Sequence, residues 1–179
     1  RNIPFRVQEE RICPYIALPG SFDEYLNSLS SSTRYHIRRR MRDLEKAGAR
    51  VDVYPEGPAL AERLDTLARL HIARWSKDHL PGTLGRPGFA AFLRQICTTP
   101  PTGAGCRLYE ISHEGTPVAS LLSFYYGHSA LYYQAGWDPD SPLTACSPGV
   151  VAMAYSIRDA IANGMRYYEF LRGDEAYKS

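Results

Sequence analysis

The stretch CRLYEISHEGTPVASLLSFYYGHSALYYQAGW, residues 106–137, decides the fold. It holds three apolar, aromatic and β-branched runs, CRLYEIS, VASLLSFYY and ALYYQAGW. Only HEGTP and GHS separate them. Short Gly-containing links leave no room for a crossover, so the runs are predicted to form an antiparallel meander. SPGVVAMAYSIRDAIANG follows at 147–164 and reads as a helix. Ser147 suits the N-cap, Pro148 the first turn and Gly164 the C-terminal stop. MRYYEFL at 165–171 is then one more strand. A strand–helix–strand unit appended to a meander predicts a mixed sheet with helices on both faces.

Working outward, the first half of the chain is mostly helical. RICPYIAL at 11–18 is apolar enough for a short strand. SFDEYLNSL opens a helix with Ser21 as N-cap and Glu24 at capping-box spacing. SSST reads as a break, and a second helix is expected over about 33–47, stopped by Gly48. Ile37, Met41 and Leu44 form its apolar stripe. ARVDVY alternates as a strand. A third helix is expected over about 58–76, with Leu60, Leu64, Leu67, His71 and Trp75 on one face. A loop, KDHLPGTLGRPG, leads to a shorter helix over 89–97.

Composition narrows the function classes. The 179 residues are 44% hydrophobic and 22% charged, which suits one globular domain over 1–179 with a sizeable core. No apolar run is long enough for a membrane span. The first fifteen residues lack the apolar segment of a signal peptide. The chain has no initiator Met, which allows a longer parent protein. Cys13, Cys97, Cys106 and Cys146 form no Cys-x-x-Cys pair and have no His at a zinc-ligand spacing, so neither a metal site nor disulfides are expected. Scattered thiols of this kind point to a cytoplasmic protein. The net charge of +2 is unevenly spread. RYHIRRRMRDLEKAGAR at 34–50 carries seven basic and two acidic residues. Such a helix is either a solvated face or a phosphate-binding one.

The element order resembles the GNAT superfamily of N-acyltransferases, an α/β fold with an antiparallel meander, a helix and a splayed parallel strand. More narrowly, RLHIARW (69–75), EGTPVASLLSF (114–124), YYQAGWDP (132–139), the helix at 147–164 and YYEFLRGDEAYK (167–178) resemble the CelD-type cellulose-biosynthesis acetyltransferase family. SSSTRYHIRRRMRDLEKAG (30–48) has a looser likeness to Fem-type aminoacyl ligases. The resemblance implies an acetyl-CoA or other acyl-CoA donor and an amine or hydroxyl acceptor, a small molecule or a glycan precursor. The Fem likeness implies the alternative of aminoacyl transfer from charged tRNA. A non-catalytic binding module on the same fold is the third reading. Of the Gly-rich loop by which many acetyl-CoA enzymes grip pyrophosphate, only Gly149 is present.

Candidate sites follow, each beside a plainer reading. The free N–H groups around Ser147, Gly149 and Val150 suit the donor's phosphates, or simply begin an ordinary capped helix. The resemblance places a thioester-polarising N–H on the third meander strand, where Tyr133 or Gln134 faces the reacting centre according to register. His71 is a proton acceptor or a hydrogen-bonded core histidine. Arg74 and Trp75 line the same cleft edge or belong to the core. Asp138 contacts substrate or makes a turn. In the segment RGDEAYK, Asp174 or Glu175 serves as general base and Tyr177 as proton donor to the leaving thiolate. Arg172 and Lys178 bind an anionic group there. The plainer alternative for that segment is a solvated loop.

Overall fold

The computed structural model describes residues 13–76, 84 and 88–171. Six strands form one sheet in the order β1-β6-β5-β4-β3-β2. They are β1 (Tyr15–Ala17), β2 (Arg50–Pro55), β3 (Ala104–His113), β4 (Thr116–Tyr126), β5 (Ser129–Trp137) and β6 (Tyr167–Glu169). The meander β3-β4-β5 is antiparallel, as its Gly-containing links require, and β2 adds antiparallel to β3. β6 runs parallel to β5 and antiparallel to β1. The mixed α/β sheet expected from the sequence is therefore present, with a first strand at its edge that the sequence reading left unplaced.

Helices cover both faces. On one lie α1 (Phe22–Ser28), α2 (Ser31–Lys46) and α5 (Pro148–Ala162). Ile37, Leu44, Val151 and Ile157 pack there on Tyr109, Ile111, Leu121 and Tyr168. On the other lie α3 (Pro58–Ser76) and α4 (Phe89–Thr98). Leu60, Leu64, Leu67, Leu93 and Cys97 meet Leu108 and Leu122 in a second core. Full burial of side chains such as Leu60 and Leu67 is worth about 1.5–3 kcal/mol each.

Two helix starts differ from expectation. α2 begins at Ser31, because Ser30 caps it by accepting the Thr33 N–H at 3.2 Å, so SSST is a helix start and not a break. At α5, Ser147 does precede the helix but does not cap it with its side chain. Its N–H closes the preceding 3₁₀ turn (Thr144–Cys146) on Thr144 C=O at 2.9 Å. Ser147 is thereby held in the left-handed region, φ 49°, where its hydroxyl makes no cap bond. α1 follows its capping box closely. Ser21 Oγ accepts from Glu24 N–H at 3.2 Å, and Glu24 reaches back to Gly20 N–H at 3.0 Å.

Candidate acyl-transfer site

β5 and β6 pair only over Ser129–Leu131 and Tyr167–Glu169. β5 continues to Trp137, beyond the last pair with β6 among the described residues. The register of β4 and β5 slips at the same level: Leu122 faces Gln134 while Ser123 faces Tyr132. Tyr133 is the extra residue of a bulge, a feature that leaves backbone groups outside the ladder. Its ring turns to the α3 side and packs edge-on against Phe124, with centroids 4.9 Å apart. Burial raises its hydroxyl pKa. Gln134 is half-buried beside it.

The last turns of α3 lie against the far end of β5. Gly136 makes this contact possible. A Cβ there would sit 2.2 Å from the His71 backbone nitrogen, so only glycine allows the helix to come this close. The approach sets His71 over the strand. His71 Nδ1 is 3.0 Å from Ala135 C=O. A carbonyl only accepts, so Nδ1 carries the proton and Nε2 of the neutral ring is an acceptor. That Nε2 is buried and has no hydrogen-bond partner among the described residues. Burial lowers the His71 pKa, the Ala135 bond works against this, and the nearby Arg74 charge lowers it further. At pH 7 the group is a neutral base with a free lone pair.

Three residues on, the Arg74 guanidinium lies over two indoles. It is 4.6 Å from the Trp75 ring centre and 4.1 Å from that of Trp137. Trp137 also lies against α5: a Cβ on Gly149 would come within 2.7 Å of its ring. The bare side of Gly149 is thus filled by Trp137 instead of lying open. Val150 N–H turns back to Ser147 C=O at 2.9 Å, which engages one of the donors expected at this helix end. Asp138 directly follows β5. Its carboxylate accepts Asp140 N–H at 2.9 Å in the turn after β5.

The structure therefore brings His71, Arg74 and Trp75 together with the β5 end and the start of α5. Arg172, Asp174, Glu175, Tyr177 and Lys178 lie outside the described residues. Gly136, Trp137 and the Ala135 carbonyl were not singled out from the sequence. A glycine inside an otherwise apolar strand was the available signal, since it marks close approach of another backbone. Among the described residues no group of three or more His, Cys, Asp or Glu is placed to hold a metal ion, and no helix is long and apolar enough to cross a membrane.

A bulged antiparallel meander, followed by a helix and a strand parallel to the last meander strand, defines the α/β fold class. The chain belongs to the acetyltransferase (GNAT) domain family, whose model matches residues 31–179. Solved structures agree on the fold. FemX superposes with a TM-score of 0.69 at 13% identity, over 92% of this chain and 53% of that one. The C-terminal domain of an Agrobacterium fabrum protein assigned as lysylphosphatidylglycerol synthetase gives 0.60 at 10%, over 90% and 46%. L-PGS from Bacillus licheniformis gives 0.56 at 13%, over 93% and 48%. The chain thus spans about half the length of these structures. Comparison with curated protein sequences gives no match.

Proposed function

We propose that this domain transfers an acyl group from a thioester donor, an acyl-CoA, to an amine or hydroxyl acceptor, with His71 as the base. The carrying observation is the His71 ring, fixed through Nδ1 on Ala135 of β5 with Nε2 buried and unpartnered. The acceptor nitrogen or oxygen bonds to the thioester carbon and loses its proton to Nε2. The C–S bond breaks, its electron pair leaves on sulfur, and the proton then passes to the thiolate. A backbone N–H freed at the Tyr133 bulge polarises the thioester carbonyl. Positioning and that donor supply most of the rate. Asp174, Glu175 and Tyr177 remain candidates for proton transfer. Gly149 and Val150 remain candidates beside the donor's phosphates, and a glycan precursor remains the acceptor suggested by the CelD-type likeness.

The test is thermal unfolding with CoA, acetyl-CoA and a longer acyl-CoA. A ligand at a hundred times its dissociation constant adds about 2.7 kcal/mol. For a domain of this size that raises Tm by roughly 5–10 °C. No shift with any of the three would reject the CoA-linked donor.

A second reading, aminoacyl transfer from charged tRNA, is favoured by the FemX superposition and by α2. Arg38 and Arg39 on that helix already pair with Asp23 and Asp43, which lowers its free positive charge. Salt-dependent tRNA binding that is lost on replacing Arg38, Arg39 and Arg42 would support this reading.

A further inference from the structure

We propose that Arg74, Trp75 and Trp137 form a binding site for an anionic group, a carboxylate or phosphate, carried by the acceptor substrate. The assignment to the acceptor rests on the acyl-transfer reading of His71. Elsewhere in the described residues, Arg38, Arg39, Arg50, Arg94 and Arg107 each face a carboxylate within the protein. Arg74 has no ion pair among the described residues; its guanidinium carbon lies over the rings of both Trp75 and Trp137. Cation–π contact with the two indoles restrains the guanidinium. The N–H edge is left to bind, a rigid fork matched to a planar carboxylate or a phosphate.

A second, independent observation lies beside it. The Trp75 Nε1 is buried and has no hydrogen-bond partner among the described residues. An indole N–H only donates, so what completes it is an acceptor atom. One anionic group satisfies both Arg74 and Trp75. His71 Nε2 has the opposite need: it accepts, and a donor completes it. His71 precedes Trp75 by four residues on α3, about one helical turn, and their ring centroids are 6.0 Å apart. The complementary ligand carries an amine or hydroxyl about one turn's distance from a carboxylate or phosphate. That describes an acidic acceptor such as an amino acid or a phosphorylated or acidic sugar.

The protein carries its own reporter, because Trp75 and Trp137 are its two tryptophans. The experiment titrates the full chain with sodium acetate and with inorganic phosphate, reading indole fluorescence against sodium chloride at equal ionic strength. The expected result is a saturable change with acetate or phosphate and none with chloride. Arg74→Gln removes it, and Arg74→Lys weakens it at least tenfold because an ammonium lacks the planar fork. Circular dichroism confirms that both variants are folded. CoA affinity, measured by calorimetry, is expected to be equal in wild type and Arg74→Gln. No saturable response in wild type, or an undiminished one in Arg74→Gln, overturns the site. A tenfold loss of CoA affinity in Arg74→Gln gives the site to the donor's phosphates and overturns the acceptor assignment. A normal anion response in a protein that no acyl-CoA stabilises sinks the acyl-transfer reading and leaves the anion site standing. Intact CoA binding without an anion response sinks the site alone.

Discussion

The two faces of the sheet treat buried polar groups in opposite ways. On the α5 face they are paired. Asp159 accepts from Arg107 and from Tyr109 (2.7 Å), Tyr109 meets Tyr125 at 2.7 Å, and Arg107 also reaches Asn163 at 2.9 Å. A second chain runs from Tyr168 through Ser156 to Ser123, each link 3.0 Å. On the α3 face the pairing is broken. Among the described residues, the buried side-chain atoms without partners are Arg63 Nε, His71 Nε2, Trp75 Nε1, Glu110 Oε2 and Ser120 Oγ. Three belong to α3, and Glu110 and Ser120 are cross-strand neighbours in line with Leu108 and Leu122. Native interiors leave few such groups unpaired, because each costs about 1–3 kcal/mol. The saturated face holds the fold together. The other carries the buried polar atoms that have no partner among the described residues.

The sharpest test of this division is His71→Asn. Asparagine keeps a donor for Ala135 but offers no base. Turnover, followed as free thiol released from acyl-CoA, is expected to fall by about 10²–10⁴-fold. Wild-type activity should rise with pH along a limb set below the ordinary histidine range, since burial favours the neutral form. The variant should lose that limb. A variant that keeps both rate and limb would make His71 a core residue.

Asp159→Asn should do the reverse. It leaves Arg107 without its carboxylate in a site where the two side chains are 27% and 26% exposed. The expected cost is about 2–3 kcal/mol, below the range for fully buried pairs. Urea unfolding measures it. Turnover per folded molecule should not change. A loss of activity at full stability would move the site to the α5 face.

Much of this division could not be read from residue patterns. The meander, the helix after it and the α3 boundaries follow from periodicity and punctuation, which are local properties. The apolar stripe through Leu60, Leu64, Leu67 and His71 placed His71 correctly beneath α3. Its pairing with Ala135 lies 64 positions away in the chain and depends on the close approach at Gly136, which no local pattern encodes. Ser147 misled for a related reason. Its identity suits a cap, but the 3₁₀ turn before it claims its backbone. Arg74 and Trp75 were legible as neighbours. Trp137, the other half of the cage, is 62 residues beyond Trp75 and meets Arg74 only in the folded chain.

Two serine substitutions compare the faces at the scale of single hydroxyls. Ser156→Ala orphans the Tyr168 hydroxyl and Ser123 Oγ inside the α5 core and should cost about 1–3 kcal/mol. Ser120→Ala removes a hydroxyl that already lacks a partner, so stability should stay within about 0.5 kcal/mol or rise. Equal costs in denaturant unfolding would mean that the Ser120 hydroxyl has a partner in solution and that the contrast is overstated.

The smallest effect is expected at Glu110, where the sign decides. Burial raises its pKa; Arg63 and Arg69 pull it down and Asp52 pushes it up, and the net shift is upward from 4.5. A raised folded-state pKa means the stabilising contribution is complete below the unfolded value and is lost as pH rises through the folded one. Glu110→Gln stays neutral throughout and escapes that loss. Its stability relative to wild type should therefore increase as pH rises above about 4.5 and level off once Glu110 is ionised. His71 titrates in both proteins, so its opposite trend, stability lost as pH falls below the ordinary histidine value, cancels in the difference. A variant that instead weakens relative to wild type as pH rises would show Glu110 acting as a paired carboxylate to Arg63 and Arg69. The α3 face would then be saturated at that point, and the unpaired region would shrink to the His71, Arg74 and Trp75 end of the helix.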